Sequence, residues 1–180
     1  MEIRVELPDD HEAVLEVNRR AFGASGSEVA DLVDALRRDD QGRLSLVAED
    51  AGRVVGHVMF TRTLLDAPRR LVAVQTLSPL AVDPQWQRRG IGSALVRHGI
   101  DLLDRREMPL VWLEGDPVYY GRFGFEPGTG HGFRKPSLRI PDAAFQVRTL
   151  AAYEPWMTGT LVYSATFWER DCVGLRDPDA

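Results

Sequence analysis

The sequence has one cysteine, Cys172, and one lysine, Lys135, in 180 residues. A lone cysteine excludes an internal disulfide and a cysteine-built metal cluster, so a reducing, cytoplasmic setting is expected. No apolar run approaches the roughly 18 residues that a membrane-spanning helix needs. The opening Met1, Glu2, Ile3, Arg4, Val5 also lacks the apolar stretch of a signal peptide. No membrane partner is therefore expected. Positive charge is in short supply: 22 Lys and Arg stand against 27 Asp and Glu, a formal net charge of −5. That balance disfavours a general nucleic-acid surface and fits a cationic amine slightly better than an anion. The four histidines, His11, His57, His98 and His131, are scattered without metal-ligand spacing, and no metal is expected.

What is present reads as a single domain over residues 1–180, with no repeat, low-complexity tract or linker. Ile3, Val5 and Leu7 alternate as in a short strand. Asp9 and Asp10 offer a cap to a helix whose apolar face is Ala13, Val14, Val17 and Ala21. Ser25 and Glu28 have capping-box spacing ahead of a second helix with Val29, Leu32, Val33 and Leu36 on one face. Strands are expected over residues 44–49 and 53–62, with a turn at Asp50, Ala51 and Gly52, and within 71–82. A helix follows from about Gly90 to Arg105, then a short buried strand over 110–114 and a short helix within 116–122. Gly124 and Phe125 lead into a further strand, with more at 144–150 and 161–164, and residues 176–180 are expected to fray. The order is mixed α/β with an α+β-like sequence of elements. An antiparallel meander is followed by one β-α-β unit.

Chemistry concentrates in residues 77–125. A strand ending at Ala81, Val82, Asp83, Pro84 runs into Gln85, Trp86, Gln87, Arg88, Arg89, Gly90, Ile91, Gly92, and then into a helix. A helix start presents unpaired backbone N–H groups and the positive end of its dipole. Two glycines remove side chains that would obstruct a ligand, so the segment reads as a phosphate cradle. A nucleotide P-loop would need a lysine after the second glycine, and none is there. A dinucleotide fingerprint would need a third glycine where Leu95 stands.

The run Gln87-Arg88-Arg89-Gly90-Ile91-Gly92 resembles the Gln/Arg-x-x-Gly-x-Gly/Ala motif of the GNAT acetyltransferases. A second run, Tyr120-Gly121-Arg122-Phe123-Gly124-Phe125, resembles the Tyr-x-x-x-Gly-Phe of the same family. With Gly115-Asp116-Pro117-Val118-Tyr119 before it, it is most similar to the bacterial YhbS-like branch. The resemblance implies the GNAT acyltransferase fold: a central, mostly antiparallel, twisted sheet flanked by helices, with its cofactor-binding core at about residues 71–126. It implies an enzyme that moves acetyl from acetyl-CoA to a primary amine, on a small molecule or a protein, in a ternary complex. It also allows a homodimer. A non-catalytic acyl-CoA-binding regulatory module is the alternative, and an ATP-type phosphate site is disfavoured by the missing lysine and glycine.

Carried over residue by residue, the resemblance gives Gln87, Arg88, Arg89, Gly90, Ile91, Gly92 and Ser93 to the CoA pyrophosphate. Leu80, Ala81 and Val82 would lie along the pantetheine arm, with the Val82 N–H toward the acetyl carbonyl. Tyr120 is implied as general acid for the departing thiolate, with Tyr119 as the neighbour that a one-residue shift would select. The base has no motif in the family. Glu114 is the first candidate, Gln75, Thr76 and Ser78 stand near enough in sequence to orient the amine, and Asp116 is read as a helix cap. Tyr153, Pro155, Trp156 and Met157 form an aromatic cluster that packs beneath a loop, lines the acceptor pocket or forms a subunit interface. Cys172 is not expected to carry acetyl, and the glycine-rich stretch around His131 reads as a flexible connection.

Overall fold

The structure, a computed structural model, describes residues 1–39 and 44–175. In chain order its elements are β1 (Glu2–Val5), α1 (His11–Phe22), α2 (Gly26–Arg38), β2 (Leu44–Asp50), β3 (Arg53–Asp66), β4 (Leu71–Val82) and α3 (Ile91–Arg105). They continue as β5 (Leu110–Glu114), α4 (Pro117–Tyr120), β6 (Glu126–Pro127), β7 (Phe133–Arg134), β8 (Phe145–Thr149), β9 (Gly159–Val162) and α5 (Ala165–Glu169). The chain divides into two compact units, each drawn from two stretches. Met1–Thr61 and Leu77–Leu102 make the first, and Arg62–Thr76 with the chain from Leu103 onward makes the second. The long strands β3 and β4 pass through both.

In the first unit β1, β2 and β3 form an antiparallel ladder, with Ile3 opposite Ala48 and Val47 opposite His57. Ala51 and Gly52 make the β2–β3 turn with φ of 49° and 78°, as a tight hairpin requires. Residues 54–60 of β3 are all buried, because helices cover both of its faces. On one face α3 approaches so closely that a Cβ at Gly56 would lie 3.0 Å from Ile91 and 3.1 Å from Leu95, and one at Gly99 would overlap the Phe60 ring. On the other, His57 reaches Asn18 of α1, whose Nδ2 donates to His57 Nδ1 at 3.0 Å and to the Val14 carbonyl at 2.8 Å. His57 Nε2 lies 3.0 Å from Ser45 Oγ, and Ser45 in turn donates to Glu6, which also pairs with Arg37.

Three features here depart from the sequence expectations. Strand β1 ends at Val5, leaving Leu7 outside it and exposed, because Glu6 turns inward and Asp10 draws the Leu7 N–H to itself at 2.7 Å. The buried face of α1 is Val14, Leu15, Val17 and Asn18, with Ala13 exposed, so the polar Asn18 takes a position that periodicity gives to an apolar residue. Ser25 makes no side-chain cap to α2, and the expected capping box is not formed.

In the second unit β4 and β5 are parallel, pairing Gln75 with Val111 and Thr76 with Trp112. Strand β8 lies antiparallel beside β5 and β6 beside β8, while β9 pairs with the end of β3 and, in parallel, with β7. Trp112 organises this core: Phe145 stacks on it at 4.9 Å and Phe133 meets it edge-on at 4.7 Å. The expected mixed order, with one helix crossing between parallel β4 and β5, is what the chain adopts. The two-residue strand β7 and the short α5 were not anticipated, and residues 176–180 lie outside the described residues.

Candidate active site

In the first unit, β4 ends at Val82 and its side chains at Leu80 and Val82 are half-buried, with Ala81 buried between them. The chain leaves the strand at Asp83, whose carboxylate accepts the Gln85 N–H at 3.0 Å and caps a single 3-10 turn over Pro84–Trp86. Gln87 folds back so that Nε2 donates to the Val82 carbonyl at 3.1 Å. Arg88 and Gly90 both take positive φ, 60° and 83°, which bends the loop sharply into α3. Gly90 suits its place on two counts. Its φ is one that side chains seldom adopt, and nothing lies within 4 Å of where a Cβ would stand. The first helical bond is donated by Ala94 to the Gly90 carbonyl at 2.9 Å. By helix geometry the N–H groups of Ile91, Gly92 and Ser93 therefore have no carbonyl one turn behind them. Ile91 turns its side chain into the core, while Gly92 and Ser93 remain half-exposed. Arg88 and Arg89 are exposed, and the Arg89 guanidinium sits 4.9 Å above the Trp86 ring. Backbone donors, a helix dipole and two flanking cations make this loop a fit for a diphosphate.

In the second unit, Asp116 caps α4 by accepting the Val118 N–H at 2.9 Å, as expected. The short helix sets the Tyr119 and Tyr120 rings edge to face at 4.9 Å. Tyr119 takes the Arg122 guanidinium on its face at 4.5 Å. Tyr120 lays its ring over Gly115, where a Cβ would come within 2.5 Å of a ring carbon, and meets Phe125 at 5.9 Å. Burial, with a smaller contribution from Tyr119, pushes the Tyr120 phenol above its ordinary range. It holds its proton at neutral pH.

Glu114 closes β5 directly before Gly115. Burial raises its pKa, against the pull of three partners: the Tyr163 hydroxyl, the Gly174 N–H and the charge of Arg139. The hydroxyl donates to Oε1 at 2.9 Å and the amide to Oε2 at 3.0 Å. The second unit thus carries a protonated phenol at Tyr120 and, six residues earlier, a carboxylate of raised pKa at Glu114.

Other residues singled out in the sequence fall elsewhere. Gln75 and Thr76 are buried, with Thr76 Oγ1 2.9 Å from Thr63 Oγ1. Trp156 meets the guanidinium groups of Arg69 and Arg70, 5.1 and 5.4 Å from its ring centroid, and Met157 is buried. His131 pairs with Glu126 at 2.6 Å. No group of three or more His, Cys, Asp or Glu is arranged to hold a metal among the described residues. No helix among them is long and apolar enough to cross a membrane. Sequence reading missed the partners of Asp83 and of Glu114, which are distant in the chain.

The acetyltransferase (GNAT) domain model matches residues 2–128. The chain belongs to the GNAT family of acetyltransferases. The N-acetyltransferase YjhQ of Escherichia coli K12 is 37% identical over 155 residues, covering 83% of this chain and 84% of YjhQ. The crystal structure of the GNAT family N-acetyltransferase YhbS from Escherichia coli, in complex with CoA, superposes with a TM-score of 0.84 at 34% identity, covering 97% of this chain and 95% of that one. A GNAT family acetyltransferase from Brucella melitensis, in complex with acetyl-CoA, superposes with a TM-score of 0.74 at 32% identity, covering 92% and 97%. Both the family and the mixed α/β GNAT fold are as the two motifs implied, and the chain is an enzyme of the N-acetyltransferase class.

Proposed function

We propose that this GNAT enzyme takes acetyl-CoA as acyl donor and acetylates a primary amine, of a small molecule or a protein, by direct attack in a cytoplasmic ternary complex. The observation that carries the donor assignment is the Gly90 turn into α3, with its backbone donors clear of side chains at a helix N-terminus. Bound acetyl-CoA supplies the acetyl group as a thioester, whose cleavage leaves a thiolate. The N–H groups of Gly90, Ile91, Gly92 and Ser93 hold the diphosphate, with Arg88 and Arg89 adding charge around it. The backbone of Leu80, Ala81 and Val82 receives the pantetheine arm.

Tyr120, whose phenol is protonated at neutral pH and is pushed further up by burial, donates its proton to the leaving sulfur. An alkyl ammonium with pKa near 10 is only about one part in a thousand neutral at pH 7, so the amine must lose a proton to react. Glu114, shifted upward by burial, accepts that proton, directly or through a water.

Thermal unfolding with acetyl-CoA, CoA, ATP and NAD titrated separately tests the donor. A ligand at about 100 times its Kd adds roughly 2.7 kcal/mol. For a chain of this size that raises Tm by about 5–10 °C. A saturable rise with CoA and acetyl-CoA alone supports the reading, and release of free CoA thiol across an amine panel then finds the acceptor. A response to ATP in place of CoA sinks it.

A further inference from the structure

The cofactor loop is tied down at its entry by a residue that no phosphate would touch. The Asp83 side chain is 1% exposed. Its Oδ2 receives Arg20 of α1 and Arg53 of β3, each at 3.0 Å. Its Oδ1 accepts the Gln85 N–H at 3.0 Å. The main chain of the same residue is engaged on both sides. The Asp83 N–H donates to the Val55 carbonyl of β3 at 3.0 Å, and its carbonyl accepts the Trp86 N–H at 2.7 Å. One buried carboxylate therefore joins a helix, a strand and the first turn of the loop.

We infer that Asp83, with Arg20 and Arg53, is the positioning device of the acyl-donor loop. It fixes the exit of β4 so that the backbone donors at Gly90 and beyond are in place before the ligand arrives. This inference rests on the donor reading above. Several features make it a device rather than a surface ion pair. Exposed pairs contribute little, because solvent screens them and two long side chains must be ordered. Here the acceptor is out of water, and two guanidinium groups from different elements meet at one oxygen. Removing one partner of such a pair leaves an uncompensated, desolvated charge. The loop follows directly on Asp83 in the chain. Its bend rests on positive φ at Arg88 and Gly90, and the Gln87 amide returns to Val82. A shift at Asp83 is carried to the helix start through the seven residues 84–90. Loops that hold their donors in place beforehand bind more tightly, since the ordering cost is not met at binding.

The test measures CoA affinity by calorimetry on wild type, Asp83→Ala and the double variant Arg20→Gln/Arg53→Gln. Amide hydrogen exchange of residues 84–92 in ligand-free protein accompanies it. Both variants are expected to bind CoA about tenfold more weakly, with faster exchange in the loop and kcat at saturating acetyl-CoA within about twofold of wild type. If Asp83→Ala does not fold, Arg53→Gln alone carries the test, because its side chain is 53% exposed and adds nothing to the core. Folded variants with wild-type CoA affinity and unchanged loop exchange overturn the clamp while leaving the donor reading intact. A wild-type protein that binds no CoA overturns both.

Discussion

The Tyr163 hydroxyl, near the end of the described chain, donates to Glu114 Oε1 at 2.9 Å across 49 residues of sequence. A donor to a carboxylate favours its ionised form, so this bond holds the Glu114 pKa below where burial alone would push it. Tyr163→Phe is expected to raise the Glu114 pKa further. If Glu114 accepts the amine proton, the acidic limb of the kcat/KM profile moves to higher pH while the plateau rate changes little. A pH–rate series on wild type and Tyr163→Phe checks this. An acidic limb at the same pH in both removes Glu114 from the proton-accepting role.

Tyr120→Phe removes one oxygen and keeps the ring that packs on Gly115 and Phe125. The expected result is a kcat lower by roughly a hundredfold, the usual scale for loss of a general acid, with CoA affinity close to wild type. Stopped-time thiol release and calorimetric titration separate the two quantities. Full turnover in the variant would assign proton donation to water or to another residue.

How much of this was legible in advance differs by region. The path from β4 through the loop to α3, β5 and α4 could be read closely, because its signals are local. A strand run, two glycines at a helix start and an Asp-Pro cap each act within a few residues. What could not be read is long-range. Arg20, Arg53 and Asp83 meet from three elements, and nothing in the local pattern of any of them announces the others. The Glu114 clamp closes with Gly174, 60 residues later. Strand β7 has two residues, too few for alternation to show, and exists because β9 offers it a partner. Asn18 defeats the helical pattern of α1 because its amide satisfies His57, a pairing that only the folded chain creates.

That pairing has a pH consequence. His57 is wholly buried, and burial together with the charge of Arg37 lowers its pKa to about 3. The unfolded histidine titrates near 6.5. Between those values the unfolded chain takes a proton that the folded chain refuses. The contribution is therefore full above about pH 6.5 and is lost as pH falls toward 3, by about 1.4 kcal/mol per unit. Urea denaturation of wild type and His57→Gln from pH 7 to pH 4 is expected to show a shallower fall in the variant, even from a lower starting stability. Parallel curves would mean that His57 is not the titrating group.

Gly99 of α3 faces Phe60 with no room for a methyl group. Gly99→Ala should favour the helix by its propensity and still destabilise the protein by about 1–3 kcal/mol through overpacking. Chemical denaturation reads the sign directly. A stabilised variant would show that the helix can shift from β3 without cost.

Each compact unit borrows its chain from two places, and residues 62–76 interrupt the first just as 77–102 interrupt the second. No single scission of the polypeptide releases either one whole. During synthesis the early half of β4 leaves the ribosome without β5, its parallel neighbour, and must wait for α3 to be made. A fragment stopping at residue 128, where the family model ends, would carry β5 without β8, its antiparallel neighbour. To obtain either half alone, the experimenter has to cut out the intervening stretch and join two separate segments rather than trim one end.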